Sequence, residues 1–262
     1  MTTHVPFAPS NYKFVQSAQH LGGAGTKDLY KDIDGKLFLF KHATPKFGKT
    51  GFEPFRIYAQ TISNFVAREL KPHACLDVFK AEFKGIPGVL QSFIDAKPVN
   101  GSEYELLTQL EPFEIHDIAV EHLVDWLCSQ HDSHIGQWLE KPDGHLVCCD
   151  REQAYKYFGK DKLSVDYHPN SVYGERPPLY NKFWTMWSKD QISYDIRLLD
   201  ESFCRLANPD FKIPFIEHLG AYAESNPFIA DKGAFVVSAC KRLLTIQSDF
   251  VSFWTDLKLK AK

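Results

Sequence analysis

The chain has 262 residues, enough for one large domain or for two small lobes that share a cleft. A hydrophobic fraction of 44%, a charged fraction of 24% and a formal net charge of -3 are those of a globular protein and give no basis for a nucleic-acid surface. No apolar run reaches the length of a membrane span, residues 1–10 lack a basic region followed by an apolar core, and the six cysteines form no CxxC pair. The expectation is therefore a cytoplasmic protein with reduced cysteines, without a spanning segment, a secretory signal or a structural zinc site.

Met1 to Asn11 reads as a loose arm, followed by a turn at Gly22-Gly23-Ala24-Gly25 and a strand that begins over Asp28 to Tyr30. Asp34-Gly35 is a hairpin signal, and the next strand, Lys36 to Phe40, delivers Lys41 at its end. Ala43 to Gly51 is a loop. Phe55, Ala59, Ile62, Val66 and Leu70 then recur on one face of a helix that Pro72 ends. Asp77 to Phe83 and Gly88 to Ile94 read as two further strands.

After Asp95 the character changes. Pro98, Asn100 and Gly101 mark a linker, and the pattern beyond is mainly helical, with a long helix over Ile115 to Ser129. One short apolar strand, Leu146-Val147-Cys148-Cys149, follows the turn signal Asp143-Gly144. Asp161 to Pro178 is irregular, and helices around Ile213 to Ala223 and Ala234 to Leu257 close the chain. The expected architecture is α+β, with residues 1–95 an antiparallel sheet plus one helix and residues 96–262 mainly helical.

Phosphoryl transfer needs a glycine-rich turn over the phosphates, a lysine on them, a base near the acceptor and carboxylates for a metal. Gly22-Gly23-Ala24-Gly25-Thr26-Lys27 supplies the turn, and Lys41 stands at the end of the strand beneath it. No Walker loop is present: Gly48-Lys49-Thr50 lacks the upstream glycine. His131-Asp132-Ser133-His134-Ile135-Gly136-Gln137 presents Asp132 on a polar loop, and the short strand after it ends on Asp150. Two carboxylates at the ends of rigid elements are what a general base and a metal ligand require. The competing reading makes both aspartates helix caps.

These segments resemble the protein-kinase-like superfamily, especially its atypical branches: the HipA-type kinases, the type II phosphatidylinositol 4-kinases and small bacterial effector kinases. The glycine turn is similar to their phosphate loop, and Asp132-Ser133-His134-Ile135-Gly136-Gln137 to the Asp-x-His-x-x-Asn form of their catalytic loop. The resemblance implies a bilobal fold using ATP and Mg2+. It implies Asp132 as the catalytic aspartate, Gln137 and Asp150 as metal ligands, and Gly22, Gly23, Ala24, Gly25, Thr26, Lys41 and Ile94 as ATP-binding residues. Three positions depart from the family. Asp150-Arg151-Glu152 replaces Asp-Phe-Gly, Gln137 replaces asparagine, and Gln60 stands at mid-helix with Glu53 and Glu69 at the ends, leaving the partner of Lys41 open.

The implied activity is transfer of the γ-phosphate of ATP to a hydroxyl, a protein serine or threonine being favoured. A phosphoinositide kinase and a nucleotide-binding pseudokinase are the alternatives. Tyr155, Tyr157, Tyr167 and Tyr173 offer a surface for a peptide, whereas Lys46, Lys49 and Arg56 would suit a lipid head group or another phosphate-bearing partner. An effector delivered into a host cell is the alternative to a resident cytoplasmic protein. A reading unrelated to kinases has His131 and His134 hold a metal at i and i+3.

Overall fold

The computed structural model describes residues 8–21, 25–43 and 53–262. Strands β1 (Tyr12–Ser17), β2 (Lys27–Asp32) and β3 (Leu37–His42) lead into helix α1 (Arg56–Leu70), and β4 (Val78–Phe83) and β5 (Ile86–Ser92) follow it. The five strands form one antiparallel sheet in the order β1-β2-β3-β5-β4. The β2–β3 hairpin closes where the sequence places it. Gly35 has φ +84°, and Asp32 Oδ1 accepts hydrogen bonds from the backbone of Asp34 and Lys36.

β1 was not expected. All but Tyr12 of its side chains are exposed, so this edge strand lacks the buried alternation that marks a strand in sequence. Tyr12 holds it down through edge contacts with Phe38 and Phe83. Residues 1–7 of the expected arm lie outside the described residues, and Pro9–Asn11 form a 3-10 turn.

Beyond the sheet come β6 (Lys97–Pro98), α2 (Glu103–Gln109), α3 (Pro112–Cys128), β7 (Trp138–Glu140) and β8 (Leu146–Cys148). β6, β7 and β8 make a small antiparallel sheet in that order. The remainder is helical: α4 (Ser171–Glu175), α5 (Leu179–Ser188), α6 (Asp200–Ala207), α7 (Pro209–Ser225) and α8 (Lys232–Lys260). An antiparallel sheet with one helix followed by a mainly helical part is the α+β arrangement that the sequence predicts. Among the described residues, no helix is long and apolar enough to cross a membrane. All six cysteines are free thiols.

α3 is buried on nearly every side, as its apolar composition requires. It starts on a capping box between Glu111 and Glu114, with Pro112 in the first turn, and stops at Ser129, whose φ is +49°. α1 is the second organising helix. Ile57 packs with Ala43 and Val89 against the sheet, whereas Ala59, Ile62, Val66, Ala67 and Leu70 join the core built by α3, α5, α7 and α8. Phe65 stacks on Phe211 of α7 at 5.4 Å. The sheet's other face carries its own aromatic cluster of Tyr30, Phe38, Phe40 and Phe83.

Candidate active site

Strand alternation decides where Lys41 points. Phe38 and Phe40 lie in the aromatic cluster on one face of β3, so Lys41 projects from the opposite face. The fit there is close. A Cβ added to Gly88 on β5 would sit 2.3 Å from the Lys41 carbonyl oxygen, so only glycine lets the two strands approach at this point. Lys41 is buried, and its Nζ lies 3.3 Å from Asp150 Oδ1. Burial pulls its pKa down, but Asp150 and Glu152 outweigh that and hold it above the ordinary lysine value.

Lys27 faces Lys41 across the β2–β3 ladder and is equally buried. Its pKa is lowered by burial and then by Lys41, with Asp150 and Glu152 opposing both. Two ammonium groups thus stand side by side over the same carboxylates. Lys27 entered the sequence reading only as the last residue of the glycine turn; the strand register gives it this position. Of that turn, Gly25, with φ +92°, and Thr26, whose carbonyl accepts from His42 N–H, are described. Gly22, Gly23 and Ala24 lie outside the described residues, as do Lys46 and Lys49.

None of the three candidate partners from α1 meets Lys41. Gln60 is buried and donates to Gln91 Oε1 of β5 at 3.2 Å; Glu53 pairs with Arg56, and the Glu69 carbonyl accepts from Arg205. The partner of Lys41 is Asp150 itself.

Asp132 sits on the loop after α3, and neither expected cap forms there. The 3-10 turn Ile135–Gln137 is capped by the His134 ring, which accepts from Gly136 N–H, while Asp132 stays half-buried with His134 Nε2 3.9 Å away. Burial, and after it the Asp150 charge, push Asp132 up to about 6. Glu152 is lifted to about 7 by burial and by Asp150, with Lys41 and Arg56 opposing. The charges of Asp132, Asp150 and Glu152 therefore act on one another, and the positive charge beside them is insufficient to keep all three at ordinary carboxylate values. Glu152 was visible in sequence only as a departure from Asp-Phe-Gly.

Gln137 lies close to this cluster. Its carbonyl accepts from Cys149 N–H at 2.9 Å, and its Oε1 lies 4.0 Å from the Cys149 thiol. Ile94, just beyond β5, packs with Val147 and beside Cys149.

A buried ionic network fixes the loops. Arg151 forms a fork on Glu121 of α3, with Nη2 at 2.6 Å from both carboxylate oxygens, and donates to the Cys148 carbonyl. Lys71 reaches Glu121 from the end of α1 at 2.6 Å. One turn on, Asp125 accepts from the Ser133 hydroxyl, and burial and Glu121 push its pKa far up. Gln130 holds the Asp150 carbonyl at 2.8 Å, and the Ser133 carbonyl accepts from Trp138 Nε1 and Leu179 N–H. The flanking residues of Asp132 and Asp150 are thus pinned to α3, which leaves the two carboxylates few ways to move.

The irregular stretch after Asp150 is anchored by Asp161, which takes a bidentate pair from Arg242 of α8 at 2.6 and 2.7 Å. Tyr155 and Tyr173 are buried, so only Tyr157 and Tyr167 of the four expected tyrosines present a partly open surface. His131 faces Asp161, and neither it nor His134 is helical, so the i, i+3 metal pair does not form.

No family model and no curated protein matches the chain. Two solved structures are similar in arrangement. A proinflammatory kinase of Helicobacter pylori, CtkA, is 11% identical, with TM-score 0.44 and 92% of each chain covered. An aminoglycoside phosphotransferase of Alicyclobacillus acidocaldarius is 12% identical, with TM-score 0.32, covering 99% of this chain and 98% of its own.

Proposed function

We propose that this chain is a phosphotransferase that moves the γ-phosphate of ATP to a hydroxyl with the help of Mg2+. The observation that carries the reading is the Lys41–Asp150 pair, beside which Asp132 and Glu152 are lifted by burial and by the Asp150 charge.

The donor set suits the metal. Carboxylates of Asp150 and Glu152 and the amide oxygen of Gln137 are hard ligands, which Mg2+ prefers, and the repulsion between Asp150 and Glu152 is what a cation would relieve. Bound there, Mg2+ would neutralise charge on the phosphates. Lys41, with Lys27 beside it, holds phosphate oxygens, and Gly25 and Thr26 belong to the turn that covers them. Ile94 contributes an apolar contact to the nucleotide. Asp132, ionised at neutral pH yet more basic than an ordinary aspartate, orients the acceptor hydroxyl and takes its proton. The nucleotide-binding part is residues 1–95 and the catalytic part residues 96–262.

A protein hydroxyl is the acceptor we favour, with the partly exposed Tyr157 and Tyr167 beside the catalytic loop as aromatic contacts. A nucleotide-binding module without turnover is the second reading; it rests on Gln137 and on the lack of a glutamate partner for Lys41. The test is incubation with γ-labelled ATP and Mg2+, offering a cell lysate and phosphoinositide vesicles in parallel. Label entering protein, and absent in Asp132→Ala, is the expected result. Label in lipid reassigns the acceptor, and nucleotide binding without transfer favours the second reading.

A further inference from the structure

Away from the residues given to phosphoryl transfer, three side chains from three elements converge. His73 lies in the 3-10 turn Pro72–Ala74 at the end of α1, Asp117 in the second turn of α3, and His145 in the turn that opens β8. One ring nitrogen from each histidine and one Asp117 oxygen all lie within 4.8 Å of one another. The two imidazoles are 4.2 Å apart at their centroids.

Asp117 is fully buried. Its Oδ2 accepts from His145 Nδ1 at 2.8 Å and from Leu146 N–H at 3.1 Å. Its Oδ1, also buried, has only a long contact of 3.4 Å to His73 Nε2. A buried carboxylate oxygen with so long a contact is poorly satisfied, and one beside two imidazoles has a specific remedy. Nearby cations are neutralised elsewhere: Lys141 by Asp143, at 2.7 Å, and Lys71 by Glu121.

We propose that His73, Asp117 and His145 bind a divalent transition-metal ion, with zinc the best match, at a site separate from the phosphoryl-transfer cleft. Two nitrogens and a carboxylate oxygen are a donor set for zinc rather than for Mg2+ or Ca2+. Tetrahedral zinc with bonds of about 2.0–2.1 Å separates its ligands by about 3.4 Å, so rotamer-scale shifts close the present spacing. His73 is exposed on one side, which leaves the fourth position to water. Ligation by His145 Nδ1 exchanges its hydrogen bond for a metal bond, the ring proton being carried on Nε2. The ion would staple the end of α1 and α3 to the strand that leads to Asp150.

The test uses full-length protein stripped with a chelator and titrated with Zn2+ by calorimetry and with Co2+ by absorbance. One saturable site with the visible bands of tetrahedral Co2+ is expected, together with a rise in melting temperature on Zn2+ addition. His73→Ala removes an exposed side chain and keeps the fold, which circular dichroism checks; it should weaken binding at least 10-fold and abolish the thermal shift. His145→Ala should do the same. Absence of saturable binding, or equal binding by the parent and His73→Ala, overturns the proposal and leaves an ordinary hydrogen-bonded His–Asp–His cluster. Displacement of Zn2+ by Mg2+ in modest excess also overturns it, because the two sites would then be one.

Discussion

Lys41 and Asp150 lie 109 residues apart in the chain and 3.3 Å apart in space. One lies on a strand of the sheet and the other follows a strand of the helical part, so the pair joins the two parts without a covalent link. Lys41→Met keeps the length and apolar stem of the side chain and removes the charge. Phosphate transfer should fall at least about 100-fold, as on loss of a preorganised electrostatic contact, with the melting temperature little changed. Transfer at the parent rate would sink the assignment.

Asp132 and Asp150 differ in surroundings and should differ in effect. Asp132→Asn should lower turnover while leaving nucleotide affinity within a few-fold of the parent. Asp150→Asn should remove the part of nucleotide affinity that depends on Mg2+ and leave the metal-free part. Calorimetry with ATP in the presence and absence of Mg2+ separates the two. Equal metal dependence in both variants would contradict the division of roles.

Arg151 supports Asp150 from behind. Arg151→Met leaves the Glu121 carboxylate, fully buried, with Lys71 alone, and breaking such a buried pair costs about 3–5 kcal/mol. Arg151→Lys retains the charge but not the fork and should recover only part of the loss. Urea midpoints for the three proteins measure this. An unchanged midpoint in Arg151→Met would show that the network contributes little.

His122 is buried and stacked on Tyr180 at 3.9 Å, and burial, with His131 second, holds its pKa well below the ordinary value. The folded protein keeps this ring neutral, while the unfolded chain protonates it below about pH 6.5. Its contribution is therefore fully present above that pH and is lost as pH falls, by up to about 2 kcal/mol at pH 5. Asp125 acts in the opposite sense, because a raised carboxylate pKa favours the folded state at low pH. His122→Phe preserves the stack and isolates the histidine part. The parent should lose more stability than the variant between pH 7 and pH 5, and parallel curves would refute the assignment.

The parts legible in sequence were those fixed by local chemistry. Lys41 was placed on its strand because Asp34-Gly35 sets the hairpin and an apolar run leads from it to the lysine. The positions of Asp132 on a loop and of Asp150 after a short strand were legible because a polar segment and a short apolar run mark them. What depends on long-range packing was not legible. Lys27 becomes a neighbour of Lys41 only through strand register, and the charge of Asp150 acts on Glu152 while Arg151 between them is turned onto Glu121. Gln60 looked like a candidate for Lys41 because it lies at mid-helix, but its buried amide is taken by Gln91. His73, Asp117 and His145 share no spacing that marks a ligand set; 28 residues separate the last two alone.

α1 turns Ile57, Tyr58 and Gln60 to the sheet and five apolar side chains, Ala59, Ile62, Val66, Ala67 and Leu70, to the helical core. A helix so divided is a wall common to both parts, and neither retains a closed interior without it. Heat should therefore melt the chain in one cooperative transition, with calorimetric and van't Hoff enthalpies in agreement. A fragment cut near residue 95 would carry α1 away from its larger set of contacts, so each half would expose an apolar face and aggregate rather than fold.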